Sequence, residues 1–281
     1  NMSAVFEKRD GREVIIKKEG QPLRILQLTD IHIGGSVSTR KKDKLALDAV
    51  RKIVKNAKPD FVVVTGDMVY PMPWLLQGSC NNLKASKMFA SVMEDLGVEW
   101  TVVFGNHDSE VWAKCNKSAL ADFYASMPHC HFQRGEDKIT GIGNYCIPVL
   151  NEDGTINVAL MFVDSNAYLT WNFFSGFDTI HDDQIEWYKK DNYFGYPKTV
   201  EGKFFPQMVE FGSCKGMFMG HDHLNTLSIT YKGIRLTYGM SIDYNAYKGI
   251  EKRFTQRGGT IIEIGDDASF DVKMLPLTSC V

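Results

Sequence analysis

The sequence has no run of about 18 apolar residues, which excludes a membrane-spanning helix, and it has no Cys-x-x-Cys pair. Its six cysteines, Cys80, Cys115, Cys130, Cys146, Cys214 and Cys280, are scattered. A zinc ribbon and a thioredoxin-like motif are therefore both excluded. At this low density the thiols read as free, which favours a reducing, cytoplasmic compartment over a disulfide-stapled secreted one. Behind Asn1-Met2-Ser3 there is no apolar core of the signal-peptide kind. An excess of one charge is missing too. With 32 basic and 34 acidic side chains and a net charge of -2, the chain offers no basic field, so a nucleic-acid partner is disfavoured. Internal repeats and low-complexity linkers are absent. What remains is a 281-residue chain, 44% hydrophobic and 23% charged, the composition of an ordinary globular protein. We expect one domain over residues 1–281, since α/β proteins often use this much chain for a single core.

Short apolar runs alternate with amphipathic stretches along the chain, the pattern of strands and helices layered on one another. The spacing predicts strands at Leu23–Thr29, Phe61–Thr65, Trp100–Phe104, Val158–Asp164 and Gly216–Met219. Helices are predicted at Arg40–Ala57, about Leu83–Leu96 and Asp182–Lys190. Ile234–Tyr238, Thr260–Ile264 and Ser269–Met274 read as strands of a second sheet. Four of the apolar strands end in a short polar turn: Asp30-Ile31-His32, Gly66-Asp67, Gly105-Asn106-His107-Asp108 and Gly220-His221-Asp222-His223. In layered α/β folds the carboxyl ends of strands carry ligand sites, because loops converge there over a rigid sheet. The four clusters are thus expected to meet.

Asp, Asn and His are donors of intermediate hardness, suited to divalent or trivalent first-row metals better than to calcium or a thiolate-zinc site. Asp30 and His32 are one residue apart, so one turn can aim both at the same ion, and His221 with His223 repeats that spacing. A single carboxylate such as Asp67 can bridge two cations, and Asn106 can offer a neutral oxygen to the second. Two ions about 3.5 to 4 Å apart would clamp a phosphate and activate water.

Together and in this order the four motifs resemble the calcineurin-like metallophosphoesterase superfamily, over about Leu23 to Tyr238. The run GHDHLN and the later Thr237-Tyr238-Gly239-Met240 look like the purple-acid-phosphatase-like bacterial and plant branch. The resemblance implies an α/β fold, a four-layer α-β-β-α sandwich of two mixed β-sheets flanked by helices. It implies that Asp30, His32 and His223 hold one ion, that Asn106 and His221 hold the other, and that Asp67 bridges them. The ions would be divalent or trivalent: Mn, Fe or Zn. Asn106 and His107 would meet the substrate. His107 would protonate the leaving oxygen or stabilise transition-state charge, with Asp108 orienting its imidazole. The implied activity is hydrolysis of a phosphomonoester or phosphodiester by a metal-bridging hydroxide, on a phosphorylated small molecule or a phosphodiester substrate.

One departure stands out. The family carries a further metal-binding histidine on a strand between the GNHD and GHxH motifs, but the interval here contains only His129, His131 and His181. His129-Cys130-His131 follows Pro128 with no apolar strand to deliver it, which points to a surface or packing role. His181 opens a helix, and residues 191–213 read as a loop. Two explanations stand. Either the second metal site has decayed, leaving a non-catalytic binding protein of the same fold, or the chain omits a stretch near residues 190–192. Omission is the favoured reading, because a chain that keeps every other donor has little reason to do so without the last. Tyr70, in Gly66-Asp67-Met68-Val69-Tyr70, matches the GDxxY of purple acid phosphatases, but His32 stands where those enzymes have no histidine. The aromatic stretch Tyr168–Phe177, with Asn166 and Tyr244, is a candidate substrate wall.

Overall fold

The computed structural model describes residues 3–76, 78–168, 176–191, 204–247, 249, 252 and 254–281. Three apolar runs form its centre. β3 (Leu23–Leu28), β4 (Phe61–Thr65) and β5 (Glu99–Val103) lie parallel and adjacent, and α1 (Arg40–Ala57) and α2 (Asn82–Leu96) follow β3 and β4. Parallel strands need such crossovers, and strands buried on both faces carry continuous rather than alternating apolar sequence. Each helix ends on a left-handed residue, Lys58 after α1 and Gly97 after α2. A third helix on this side, α3 (Lys117–Ala125), packs beside α2.

The free edge of β3 is taken by β11 (Gly258–Ile264), antiparallel, with β12 (Phe270–Pro276) beyond it. Thr260–Ile264 and Ser269–Met274 were expected in a second sheet, and both belong to this first one. The strand pattern of these segments is right, but alternation along a strand does not encode which sheet edge it will meet.

The opposite layer contains two hydrogen-bonded pieces. One has the order β1-β2-β6-β7, from β1 (Ala4–Arg9), β2 (Arg12–Lys17), β6 (Tyr145–Leu150) and β7 (Ile156–Phe162). The other has the order β8-β10-β9, from β8 (Gly216–Met219), β9 (Ser228–Tyr231) and β10 (Ile234–Tyr238). Both pieces dock on the first sheet. The Phe6 ring meets that of Phe61 at a tilt, 5.3 Å between ring centroids, Tyr145 shares a 2.6 Å hydroxyl contact with Thr101, and Gln27 Nε2 donates to the Met219 carbonyl at 3.2 Å. Outside this layer lie α4 (Asp182–Asp191) and α5 (Phe204–Phe211). Trp187, Tyr188 and Met208 pack there with Met161 and Val163 of one piece and Met217 and Leu236 of the other. The order of layers is therefore α-β-β-α. Within the stretch read as loop, residues 204–211 are helical, because Pro206 sits in the first turn where its missing N–H costs nothing. Residues 192–203 lie outside the described residues.

Candidate metal centre

The carboxyl ends of β3, β4 and β5, together with that of β8 from the opposite layer, converge on one spot. The turn after β3 is zipped to the turn after β4: the Asp30 N–H donates to the Gly66 carbonyl at 3.2 Å, and those of Ile31 and His32 donate to Asp67 at 2.9 and 3.1 Å. This lacing forces an uncommon backbone. Asp30, His32, Asp67 and His221 all have positive φ, at 50°, 57°, 53° and 75°. Non-glycine residues hold that region only where surroundings over-determine it, at a cost on the order of 1 kcal/mol or more each. The motif glycines answer a different need. A Cβ on Gly105 would stand 2.2 Å from Asp67 Oδ1, and one on Gly220 would stand 1.9 Å from Thr29 Oγ1. Only glycine lets these turns approach so closely.

Asp30, His32, Asp67 and His223 are all buried, and each offers a ligand atom within 4.8 Å of the others. Their supports are specific. Asp30 accepts the His221 N–H at 3.0 Å and the Thr29 hydroxyl at 2.8 Å, while Asp67 Oδ1 accepts the His107 N–H at 2.8 Å. Behind the two imidazoles stands Asp243, fully buried, whose carboxylate lies 3.2 Å from His32 Nδ1 and 3.1 Å from His223 Nδ1. That leaves the Nε2 atoms toward the acids: His223 Nε2 is 3.3 Å from Asp30, and His32 Nε2 is 3.7 Å from Asp67. Burial works against charge on His32, yet Asp243 and Asp67 push its pKa up to about 10. His223 is raised to about 9, against burial, by Asp243 and Asp30. For Asp67 burial also raises the pKa, but the hydrogen bond with His32 and the charge of His107 outweigh it and hold the carboxyl below its usual range. The pocket thus favours positive charge at its centre.

The donor set fits a cation. Both ring nitrogens of His32 are buried without a well-formed hydrogen bond, a costly arrangement unless something else uses them. Two carboxylates and two imidazoles suit a divalent or trivalent first-row ion. The carboxylate behind each imidazole is the usual means of fixing the ligating tautomer. Beside this cluster, Asn106 Oδ1 meets His221 Nδ1 at 3.0 Å, and Asn106 Nδ2 donates to the Tyr168 hydroxyl at 3.0 Å. His107 stands over the group, its ring 5.3 Å from that of His32.

One expectation about His107 is corrected. Asp108 does not touch its imidazole. The Asp108 carboxylate is buried and accepts backbone N–H groups of Gly105, Asp67 and Val69 at 2.7, 3.0 and 3.2 Å, so it clamps two of the metal-bearing turns together. Burial and the neighbouring Asp67 charge raise its pKa to about 7 despite those bonds. Glu110 takes the place expected for Asp108, its Oε1 lying 2.5 Å from His107 Nδ1 and 3.3 Å from the Tyr168 hydroxyl. Both acids follow His107 closely in sequence, and nothing in the spacing separates them. Asp243 was missed for a similar reason: it also caps the turn N–H groups of Asn245, Ala246 and Tyr247, and so reads as an ordinary turn aspartate.

The remaining candidates divide. The Tyr70 ring packs edge-on against His32 and His107, at 5.4 and 4.9 Å, and burial, Glu110 and Asp243 raise its pKa. Asn166 spends its amide on Thr179 and Gln184, and Tyr244 lies under Arg257 at 4.1 Å. At the ends of the aromatic stretch, Tyr168 stacks on Phe177, which meets His221 edge-on at 4.8 Å; residues 169–175 lie outside the described residues. His129 pairs with Glu94, His131 sits between Glu13 and Glu99, and His181 pairs with Asp178.

Comparison with known proteins agrees with this arrangement. The profile of a family described as "Calcineurin-like phosphoesterase" matches residues 23–225. A "Probable inactive purple acid phosphatase 28" of Arabidopsis thaliana is 23% identical over 314 aligned positions, covering 88% of this chain and 77% of its own length. A second Arabidopsis relative, "Probable inactive purple acid phosphatase 29", is 23% identical over 299 positions, 82% of this chain and 75% of its own. Because 88% of 281 residues is about 247, the first match leaves about 67 positions where the relative has residues and this chain has none. Among solved structures, a dimetal phosphatase from Danio rerio superposes with a TM-score of 0.56 at 12% identity, covering 91% of this chain and 97% of the other. The fold is thus shared with a dimetal phosphatase. Among the described residues, no helix is long and apolar enough to cross a membrane.

Proposed function

The chain belongs to the calcineurin-like phosphoesterase family, and from that premise we propose that it is a metal-dependent phosphoesterase acting on a phosphomonoester or phosphodiester. The observation that carries this reading is the buried group Asp30, His32, Asp67 and His223, with His32 Nε2 lacking a hydrogen bond inside it. Asp30, His32 and His223 would hold one ion, Asn106 and His221 a second, and Asp67 would serve both. Mn, Fe and Zn all suit these donors. When bound, such ions supply Lewis acidity for the phosphoryl oxygens and lower the pKa of a water nucleophile.

The chain's own residues supply the rest. His107 is less enclosed than His32 and His223, and Glu110 on its Nδ1 fixes the ring so that Nε2 is the atom presented to substrate. A protonated Nε2 can give its proton to the departing alkoxide, a contribution of about 10²- to 10⁴-fold. Asn106, tied to Tyr168, orients the phosphate. Asp108 holds the turns rather than the reacting atoms. The test is hydrolysis of p-nitrophenyl phosphate and bis-p-nitrophenyl phosphate with added manganese. His107→Ala should cost about 10²-fold or more with bound metal unchanged, and wild-type protein that cleaves neither ester would remove the reading.

A second reading, a non-catalytic binding protein of this fold, is favoured by one observation: Asn106 and His221 form a sparse half-site, their donor atoms bonded to each other. Metal analysis separates the two readings. Two ions per chain supports the enzyme, and one ion without turnover supports the binding protein.

A further inference from the structure

The two ends of the β layers carry different surfaces. At the amino ends of β3 and β7, the turns at residues 18–22, 151–155 and 265–269 expose the acids Glu19, Glu152, Asp153, Asp266 and Asp267. At the carboxyl ends, beside the metal centre, apolar side chains stand in water instead. Val37 after β3 is 93% exposed, Leu75 and Leu76 after β4 are 73% and 63% exposed, and Val111 after β5 is 59% exposed. Single exposed hydrophobes are normal on a protein surface, but their recurrence on three successive loops around one mouth is not scatter. Hydrogen bonds hold these tips out. Lys84 Nζ donates to the Gly35 carbonyl at 2.9 Å, which ties the loop after β3 to α2. Trp112 Nε1 donates to the Pro71 carbonyl and the Lys114 N–H to the Cys80 carbonyl, both at 2.7 Å, which ties the loops after β4 and β5 to each other.

The flank of this rim is basic. Arg40, Lys41 and Lys42 fill the first turn of α1, all exposed, and none has an ion-pair partner among the described residues. Asp43 beside them is buried and spends its two oxygens on the Gly34 and Gly35 N–H groups. Three cations at a helix N-terminus work against the helix dipole, and a chain of net charge -2 gives no general reason for them.

We propose that this rim docks on an anionic membrane surface, with Val37, Leu75, Leu76 and Val111 entering the boundary between headgroups and acyl chains and the three cations of α1 meeting lipid phosphates. Peripheral contact of this kind needs no membrane-spanning helix. The residue types select this partner. Protein hot spots favour Trp, Tyr and Arg, with leucine and valine under-represented, and the apolar groups here are aliphatic tips on separate loops. A nucleic acid needs rings on which its bases stack, and these four side chains offer none. Aliphatic tips beside unpaired cations match a surface that is apolar just beneath a layer of negative charge. Asp222, exposed between the two histidines that the opposite layer delivers, is repelled by that layer, so contact falls to the five-stranded side of the mouth. The metal centre then lies at the edge of the docked surface. Resting on the phosphoesterase reading, the ester taken there is that of an amphiphile held in the bilayer.

Vesicle co-sedimentation of the 281-residue chain, without added metal, tests the docking. Vesicles of phosphatidylcholine with about 30% phosphatidylserine should bind at least about tenfold more tightly than phosphatidylcholine alone, with the difference shrinking at high salt. Replacing Arg40, Lys41 and Lys42 together by Gln should weaken that binding about 10²-fold. Leu75→Asn combined with Leu76→Asn should weaken it about tenfold or more. Val37→Trp should tighten it a few-fold, because Trp favours the interface, and a gain of this kind does not arise from misfolding. Failure to bind phosphatidylserine vesicles overturns the proposal, as does binding that the Leu75 and Leu76 substitutions leave unchanged. Equal affinity for single-stranded DNA, lost with the same three cations, means a general polyanion face and also overturns it. Hydrolysis of the nitrophenyl esters is read separately: docking without turnover sinks the phosphoesterase reading alone, and turnover without docking sinks this proposal alone.

Discussion

The two β layers meet the same metal centre with unequal completeness. From the five-stranded sheet come three adjacent parallel strands whose turns are laced together by backbone hydrogen bonds and clamped by Asp108. From the opposite layer comes β8 alone, next to a gap. Both donor sets draw on both layers. Asp30, His32 and Asp67 of the five-stranded sheet, with His223 from the turn after β8, form a buried four-donor group backed by Asp243. Asn106 from the turn after β5 and His221 from the turn after β8 stand as a pair. The difference teaches that donors gather where laced turns meet and thin out where one strand end of the opposite layer stands alone.

Removing Asp243 should break the stronger side of that contrast most severely. Asp243→Ala leaves the Nδ1 atoms of His32 and His223 without the carboxylate that fixes both rings, and loss of such a partner typically weakens metal binding by about 10- to 100-fold. Isothermal titration with manganese would read this. His221→Ala, on the sparse side, should lower stoichiometry while leaving the tighter binding event within a few-fold of wild type. If the two variants weaken the first event equally, the half-sites are not separable in this way.

A backbone change sharpens the comparison without touching a ligand. Gly220 carries the only described strand of the open layer that delivers a histidine to the site, and a Cβ there would press on Thr29 Oγ1 and lie 2.9 Å from Asp30 Oδ2. Gly220→Ala should therefore destabilise by about 1–3 kcal/mol, seen as a lowered Tm. Gly97→Ala, on a helix end where nothing lies within 4 Å, should cost only the backbone strain of its positive φ, about 1 kcal/mol. Equal losses would mean that the turns at β8 have room to relax.

The uneven packing also explains what could be read in advance. Strands buried on both faces and ending in donor-rich turns announce themselves, so β3, β4, β5 and β8 and their motif residues were legible as elements and as a cluster. The N-terminal hairpin was overlooked although its signal is present. Asp10-Gly11 joins β1 to β2 with positive φ at both positions, 50° and 78°, the two-residue turn that fits strand twist. β6 was hidden by Pro148, a residue that argues against a central strand. The sheet membership of β11 and β12, and the roles of Glu110 and Asp243, depend on which chain segments become neighbours in space. No local spacing encodes that, because two carboxylates near one histidine look alike until backbone N–H groups claim one of them.

The smallest expected effect is also the most direct probe of uneven packing, and it lies on a single strand. On β4, Val64 is fully buried, whereas Val63 points the other way and lines the cavity between β7 and β8. The same substitution at each position deletes the same two methyl groups. In a closed core that removal costs the lost transfer energy plus a cavity term, about 2 kcal/mol for a valine. At Val63 one side of the group already lacks neighbours, so both contributions shrink and Val63→Ala should cost under about 1 kcal/mol. Urea unfolding of the two variants, with equal m-values, would read the difference. Equal costs in the 281-residue chain would mean that its β layers are already in contact over Val63.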